Sequence, residues 1–175
     1  MLRCSLKKGY LPVKHTSLLL VALIILGFST PAKAGGDLLS LGLGYYDIND
    51  NEEAADFRME YRWDSPLLWV IEPWAGAEVT SDGAIYGLGG LLADIKIGSG
   101  FLVTPSFGAG LYYKGNGKDL GHIIAFRSQL EMGWEFENSS RIGIAGGHIS
   151  NAGLDNKNPG AEYLNLYYHI PVGGF

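Results

Sequence analysis

The sequence predicts an all-β fold: one eight-stranded antiparallel transmembrane β-barrel of the outer-membrane type. Three observations carry the expectation. Apolar and polar residues alternate with a period of two over segments of about ten residues, as half-buried strands do. Eight such segments follow one another, joined by turns rich in Gly, Asn, Asp and Ser. One face of them is broadly apolar, while the other carries arginines, glutamates and many glycines.

The first 34 residues are set apart. Arg3, Lys7, Lys8 and Lys14 form a basic stretch, Leu18 to Phe28 an apolar run, and Ala32-Lys33-Ala34 a small-residue cleavage site. The run is about 11 residues, short of the roughly 20 that a spanning helix needs. The pattern is that of a secretory signal peptide cut after Ala34, the competing reading being a short anchor that stays attached. Residues 35–175 then form one barrel domain. The sole cysteine, Cys4, precedes the apolar run and leaves with the leader, so the mature domain has no cysteine chemistry. It carries eight basic and 18 acidic residues, which excludes nucleic acid as a natural partner. No later segment is apolar over about 18 residues, so no spanning helix follows. Yet 47% of the chain is hydrophobic, and strands must hold that surface.

The strands are expected near 38–48, 55–64, 70–80, 84–97, 101–113, 122–137, 140–150 and 161–172. In the second, Phe57, Met59, Tyr61 and Trp63 oppose Arg58, Glu60 and Arg62. In the third, Ile71, Ala75, Ala77 and Val79 oppose Glu72, Gly76 and Glu78. The fourth has the weakest pattern, because both of its faces are apolar or glycine. In the fifth, Phe101, Val103, Pro105, Phe107, Ala109 and Leu111 oppose Thr104, Ser106, Gly108 and Gly110. In the sixth, Ile124, Phe126, Leu130, Met132, Trp134 and Phe136 oppose Arg127, Gln129, Glu131 and Glu135.

The faces decide the solvent. A lipocalin-like soluble barrel points its apolar face inward. Here the residues that must share the narrow interior of an eight-stranded barrel are arginines and glutamates that can pair, leaving an apolar band outside. Closure also satisfies the backbone without water, as a bilayer requires. Tyr45, Trp63, Trp69, Trp74, Tyr113 and Trp134 fall near strand ends, where interfacial aromatic girdles lie. The terminal Phe175 looks like the assembly signal of bacterial outer-membrane barrels. With both termini in the periplasm, the external loops are Asn49–Ala54, Ser81–Gly83, Lys114–Gly121 and Asn151–Gly160.

The last two strands carry the chemistry. Ile142, Ile144, Gly146, His148 and Ser150 share one face of the seventh, and Glu162, Leu164, Leu166, Tyr168, Ile170 and Val172 share one face of the eighth. Both faces point to lipid. His148, Ser150 and Glu162 therefore interrupt two apolar stripes at the same external end. Ionisable groups facing a membrane are costly and tend to be functional. A hairpin with Ser150 opposite Glu162 would leave Glu162 diagonal to His148, still within reach. A histidine can take the proton of a serine hydroxyl, and a carboxylate can fix the imidazole tautomer. Asn151, Gly153 and Asn158, in the adjoining loop, are candidate donors to the oxyanion. A site in this place meets lipid, and an acyl ester is the fitting target.

The stretch G-H-I-S-N-A-G-L from Gly147 to Leu154, followed by N-P-G-A-E, resembles the active-site region of the lipid A 3-O-deacylase (PagL-like) family. The resemblance covers about 25 residues, including Y-L-N-L-Y-Y-H-I-P of the last strand; elsewhere only architecture matches. It implies a barrel in the bacterial outer membrane, a serine esterase acting on lipid A or lipopolysaccharide among outer-membrane lipids, and no cofactor. It implies the roles nucleophile for Ser150, base for His148 and acid for Glu162, with Asn151, Gly153 and Asn158 beside them. The 3-O position comes from the resemblance alone, and a homodimer is left open. The alternatives are a non-catalytic small barrel and a phospholipase or acyltransferase barrel with the same nucleophile.

Other residues have plainer readings. His122, which begins the sixth strand at its external end on the lipid-facing parity, is a rival base, but reads first as a loop-edge residue. His169 shares the inward parity of Tyr163, Asn165 and Tyr167. Lys114, Lys118 and Lys157 lie in external loops, solvated or facing lipid A phosphates. Gly87-Leu88-Gly89-Gly90 lacks the strand-to-helix setting of a nucleotide loop. No metal-ligand cluster stands out. Intact-mass analysis of the exported protein is expected to give a chain starting at Gly35; a chain still carrying Leu18–Phe28 would favour the anchor.

Overall fold

The computed structural model describes residues 36–50 and 52–173. The expected leader, 1–34, and Phe175 lie outside them. The elements are β1 (Leu38–Tyr46), β2 (Ala54–Arg62), β3 (Ile71–Thr80), β4 (Ile85–Ala93), β5 (Ile95–Ile97), β6 (Phe101–Tyr113), β7 (Ile124–Glu135), β8 (Arg141–Ser150) and β9 (Ala161–Pro171). β4 and β5 both pair with β6 and are two halves of one barrel strand, broken at Asp94. All pairings are antiparallel, and the ring closes where β1 pairs β9 and β4 pairs β6. The result is the expected closed eight-stranded barrel. At the break, the Asp94 carboxylate accepts from Thr104 Oγ1 and pairs with the Arg141 guanidinium.

The alternation read from the sequence is the alternation of the walls. Phe57, Met59, Val79, Phe107, Leu111, Leu130, Met132, Ile144 and Leu166 are all exposed on the outside. Inside, charged residues are buried and paired. Arg58 lies between Asp56 (2.7 Å) and Glu78 (3.0 Å). Arg127 holds Glu60 at 2.6 Å, and Arg62 holds Glu131 at 2.8 Å. Tyr167 OH donates to Glu60, and His169 joins Ser40 to Glu131 at 2.7 Å on each side. Buried charge is tolerated only when paired and hydrogen-bonded in this way. An apolar wall around an ionic interior, with a closed backbone ladder, is the construction of a transmembrane barrel.

One aromatic differs from its expected place. Trp74 is not in a girdle: it is 2% exposed and points inward. Its neighbour Pro73 occupies the outward parity, and the Arg127 guanidinium lies 4.3 Å from the Trp74 ring centroid, a cation–π contact that suits the interior. Tyr45, Trp63, Trp69, Tyr113 and Trp134 are exposed.

The loop end carries 47–50, 52–53, 81–84, 114–123 and 151–160, and the opposite end carries the start of β1, the end of β9 and 63–70, 98–100 and 136–140. The loop end is tied down. Tyr46 OH donates to Tyr112 OH, which donates to the Lys118 carbonyl. Lys118 is buried and its ammonium bridges Asp47, at 2.6 Å, and Asp50. Met59→Arg, in the middle of the outer face of β2, is expected to destabilise the bilayer-embedded barrel by about 2–4 kcal/mol in urea unfolding. A change within about 0.5 kcal/mol, usual for a water-exposed surface, would contradict a lipid-facing wall.

Candidate active site

The outer stripe of β8 runs Ile142, Ile144, Gly146, His148, Ser150, and that of β9 begins at Glu162 before Leu164 and Leu166. The polar trio therefore sits where the apolar stripes give out, beside the 151–160 loop. His148 and Glu162 are cross-strand partners, and His148 Nδ1 lies 3.0 Å from Glu162 Oε1. Their side chains are 45% and 41% exposed, so the pair forms part of the surface rather than the core.

The register corrects the expected hairpin. Glu162 is directly opposite His148, not diagonal to it, and the ladder ends one step later at Ile149↔Ala161. A slip of two residues leaves every side chain on its own face, so alternation alone could not separate the two registers. Ser150 lies two residues beyond His148 on the same face, half-buried, with Phe126 opposite it on β7. Its hydroxyl has no hydrogen-bond partner among the described residues. Nucleophile–base contacts are commonly long in unliganded sites and tighten around substrate. Ser128, which the sequence reading did not single out, is exposed on β7 directly opposite His148. Its signal was present: it is a polar residue on the apolar parity of that strand.

The loop above the trio is organised by Asn151. That side chain is fully buried, with Nδ2 donating to the carbonyls of Leu120 and Lys157 at 2.7 Å each. Its Oδ1 accepts from Gly153 N at 2.8 Å, and its own N–H donates to Asn158 Oδ1 at 3.0 Å. The donors of Asn151 and Gly153 are thus spent on loop geometry. Of the three oxyanion candidates, Asn158 is exposed and keeps an uncommitted side-chain donor, Nδ2, among the described residues. Gly160, to which the sequence reading gave no role, lies against the His148 ring.

The remaining candidates fall elsewhere. His122 is engaged in its own turn, Nδ1 accepting from Ile124 N at 2.9 Å. His169 is buried inside the barrel. Lys114 and Lys157 share Asp119 at 3.1 Å each. The Gly121 amide and the two lysines hold that exposed carboxyl down to about 2. Among the described residues no cluster of His, Cys, Asp and Glu is arranged to hold a metal.

A closed membrane-spanning barrel bearing a His–Glu pair and a serine on its outer wall defines the class. The family model for lipid A 3-O-deacylase (PagL) matches residues 38–171, and the chain belongs to that family. It is 36% identical over 55 residues to the lipid A deacylase PagL of Pseudomonas aeruginosa, a stretch covering 31% of this chain and 32% of that protein. Matched in sequence, the chain thus spans about a third of that relative's length. The crystal structure of the outer membrane enzyme PagL superposes with a TM-score of 0.61 at 21% identity, covering 77% of this chain and 99% of the other. A de novo designed transmembrane barrel superposes with a TM-score of 0.51 at 11% identity, covering 81% and 100%. These two likenesses concern the fold.

Asn151→Ala removes three side-chain hydrogen bonds from the loop while leaving the ladder intact. Hydrogen exchange over 151–160 is expected to rise sharply with the strands still protected. Unchanged exchange would show that the loop is held without Asn151.

Proposed function

We propose that this chain is an outer-membrane lipid A deacylase, a serine esterase hydrolysing an ester-linked acyl chain, the 3-O chain by family. The observation that carries the reading is the His148 Nδ1–Glu162 Oε1 contact on the otherwise apolar wall, with Ser150 on the same face. Family membership supplies the substrate class.

In this reading the Ser150 hydroxyl oxygen attacks the ester carbonyl carbon, and His148 Nε2 takes its proton. Glu162 accepts the Nδ1–H, fixing the tautomer and stabilising the imidazolium as it forms. Asn158 Nδ2 is the side-chain donor left for the oxyanion. Collapse expels the sugar hydroxyl, which leaves with the proton from Nε2. Water, deprotonated by the same nitrogen, then frees the fatty acid and restores the serine. The polar trio lies level with the end of the apolar stripes, so a lipid reaches it from within the leaflet. A non-catalytic barrel leaves the paired ionisable groups on this wall without a role.

Mass spectrometry of lipid A from cells expressing wild type, Ser150→Ala or Ser128→Ala tests the reading. Wild type and Ser128→Ala are expected to remove one hydroxyacyl mass, and Ser150→Ala to lose about 10⁴-fold or more in rate while still folding. Loss of activity in Ser128→Ala with Ser150→Ala active would move the nucleophile to β7. No mass change with folded wild type would end the deacylase reading.

A further inference from the structure

The His148 ring lies over a gap in the sheet where another residue would have a side chain. The β8–β9 ladder stops at Ile149↔Ala161, and the next residue on the β9 side is Gly160, buried and with φ +70°. A Cβ built on Gly160 would fall 2.4 Å from His148 Cε1, 3.1 Å from Nε2 and 3.4 Å from Nδ1. These are its three nearest neighbours, and all belong to the one imidazole. The ring therefore occupies the volume of the missing side chain, with its Cε1–Nε2 edge against the Gly160 backbone. Two residues along the same strand, Glu162 holds the opposite nitrogen.

The left-handed backbone already favours glycine here; what sets Gly160 apart is that a side chain would also strike His148. Gly83 also has a positive φ, +89°, yet a Cβ there would meet nothing within 4 Å. On the outer face of β8 itself, a Cβ on Gly146 would make only ordinary contacts, at 3.7 and 3.8 Å. Gly160 joins a left-handed backbone, which returns the chain from the 151–160 loop into β9, to a collision aimed at one side chain. Any L-residue there is strained and also pushes the imidazole off its seat. The collision falls on Cε1, the carbon between the two ring nitrogens, with Nε2 the nearer nitrogen at 3.1 Å.

We infer that Gly160 is a positioning residue for His148: by having no side chain, it lets the imidazole lie across β9 with Nδ1 on Glu162 and Nε2 free to serve Ser150. This rests on the reading of His148 as the base. It makes the glycine, rather than the carboxylate alone, responsible for where the base points. A displaced ring loses its Glu162 partner, so the effect of an added methyl runs through the His148–Glu162 pair.

The test is a cycle on the purified full-length barrel in detergent with lipopolysaccharide: wild type, Gly160→Ala, Glu162→Gln, the double variant, and Gly83→Ala as the strain control. Folding is read from heat-dependent gel mobility. Gly160→Ala is expected to lose about 100-fold in kcat, the scale of an ångström-level misplacement, with KM within about twofold. In the Glu162→Gln background the same change is expected to cost only a few-fold, because the contact it disturbs is already gone. Gly83→Ala is expected to keep the wild-type kcat. Equal losses from Gly160→Ala in both backgrounds, or an unchanged kcat, would overturn the inference.

Should Gly160→Ala fail to fold, the His148→Ala/Gly160→Ala pair decides. With the ring removed, that double variant is expected to fold as well as His148→Ala alone. If it folds no better than Gly160→Ala, the glycine serves the loop backbone and not the base. A wild type with no deacylation at all would instead strike the functional reading, since every arm of the cycle is scored against wild-type turnover.

Discussion

Inside a hydrocarbon slab no water is available to an unpaired N–H or C=O, and each one left open costs several kcal/mol. A sheet in that setting has to close. Here the first strand pairs the last over nine consecutive partners, from Leu38↔Pro171 to Tyr46↔Tyr163. The interrupted fourth barrel strand pairs β6 on both sides of Asp94. Closure fixes two faces of opposite character for every strand. It also sets a bore narrow enough that Arg58, Arg62 and Arg127 must share it with Asp56, Glu60, Glu78 and Glu131.

Because the interior is filled by that ionic packing, the outer wall is where a barrel of this size has room for a polar site. The wall is an expensive place for polar groups at mid-depth and a tolerable one near the rim, where the cost of charge falls. The His148–Glu162 pair obeys this: it stands at the loop ends of β8 and β9, above Ile144 and Leu166, and is nearly half exposed. The rim is stiffened from inside. Asn151 ties the 151–160 loop to Leu120, while Lys118 binds the neighbouring loop to Asp47 below it. A surface site thereby gains buried supports.

Much of this was legible in the sequence. Strict alternation placed the strands and their faces, and parity marked His148, Ser150 and Glu162 as intruders on an apolar stripe. It also sent His169 inward, where it meets Ser40 and Glu131. What parity could not carry is position along the strand: a shift of two residues preserves every face, and so Glu162 was expected diagonal to His148 instead of opposite it. Trp74 misled because strand-end aromatics usually face lipid, whereas here Pro73 takes the outward place and Arg127 stacks on the indole. Asn151 and Gly153 were legible as loop residues beside the serine, but only the folded loop shows their donors already engaged. Gly160 is the extreme case, since its contribution is an absent atom, visible only once the neighbouring ring is in place.

Placing the polar trio on the wall also changes the dimensionality of the encounter. A cleft in a water-soluble hydrolase samples molecules by their concentration per volume. A group set into the side of a barrel samples whatever drifts past in the plane, so abundance enters as a mole fraction in the sheet of lipid. Dilution of the cell suspension would then leave its traffic untouched, while crowding of the leaflet by other barrels or a change in lateral fluidity would not.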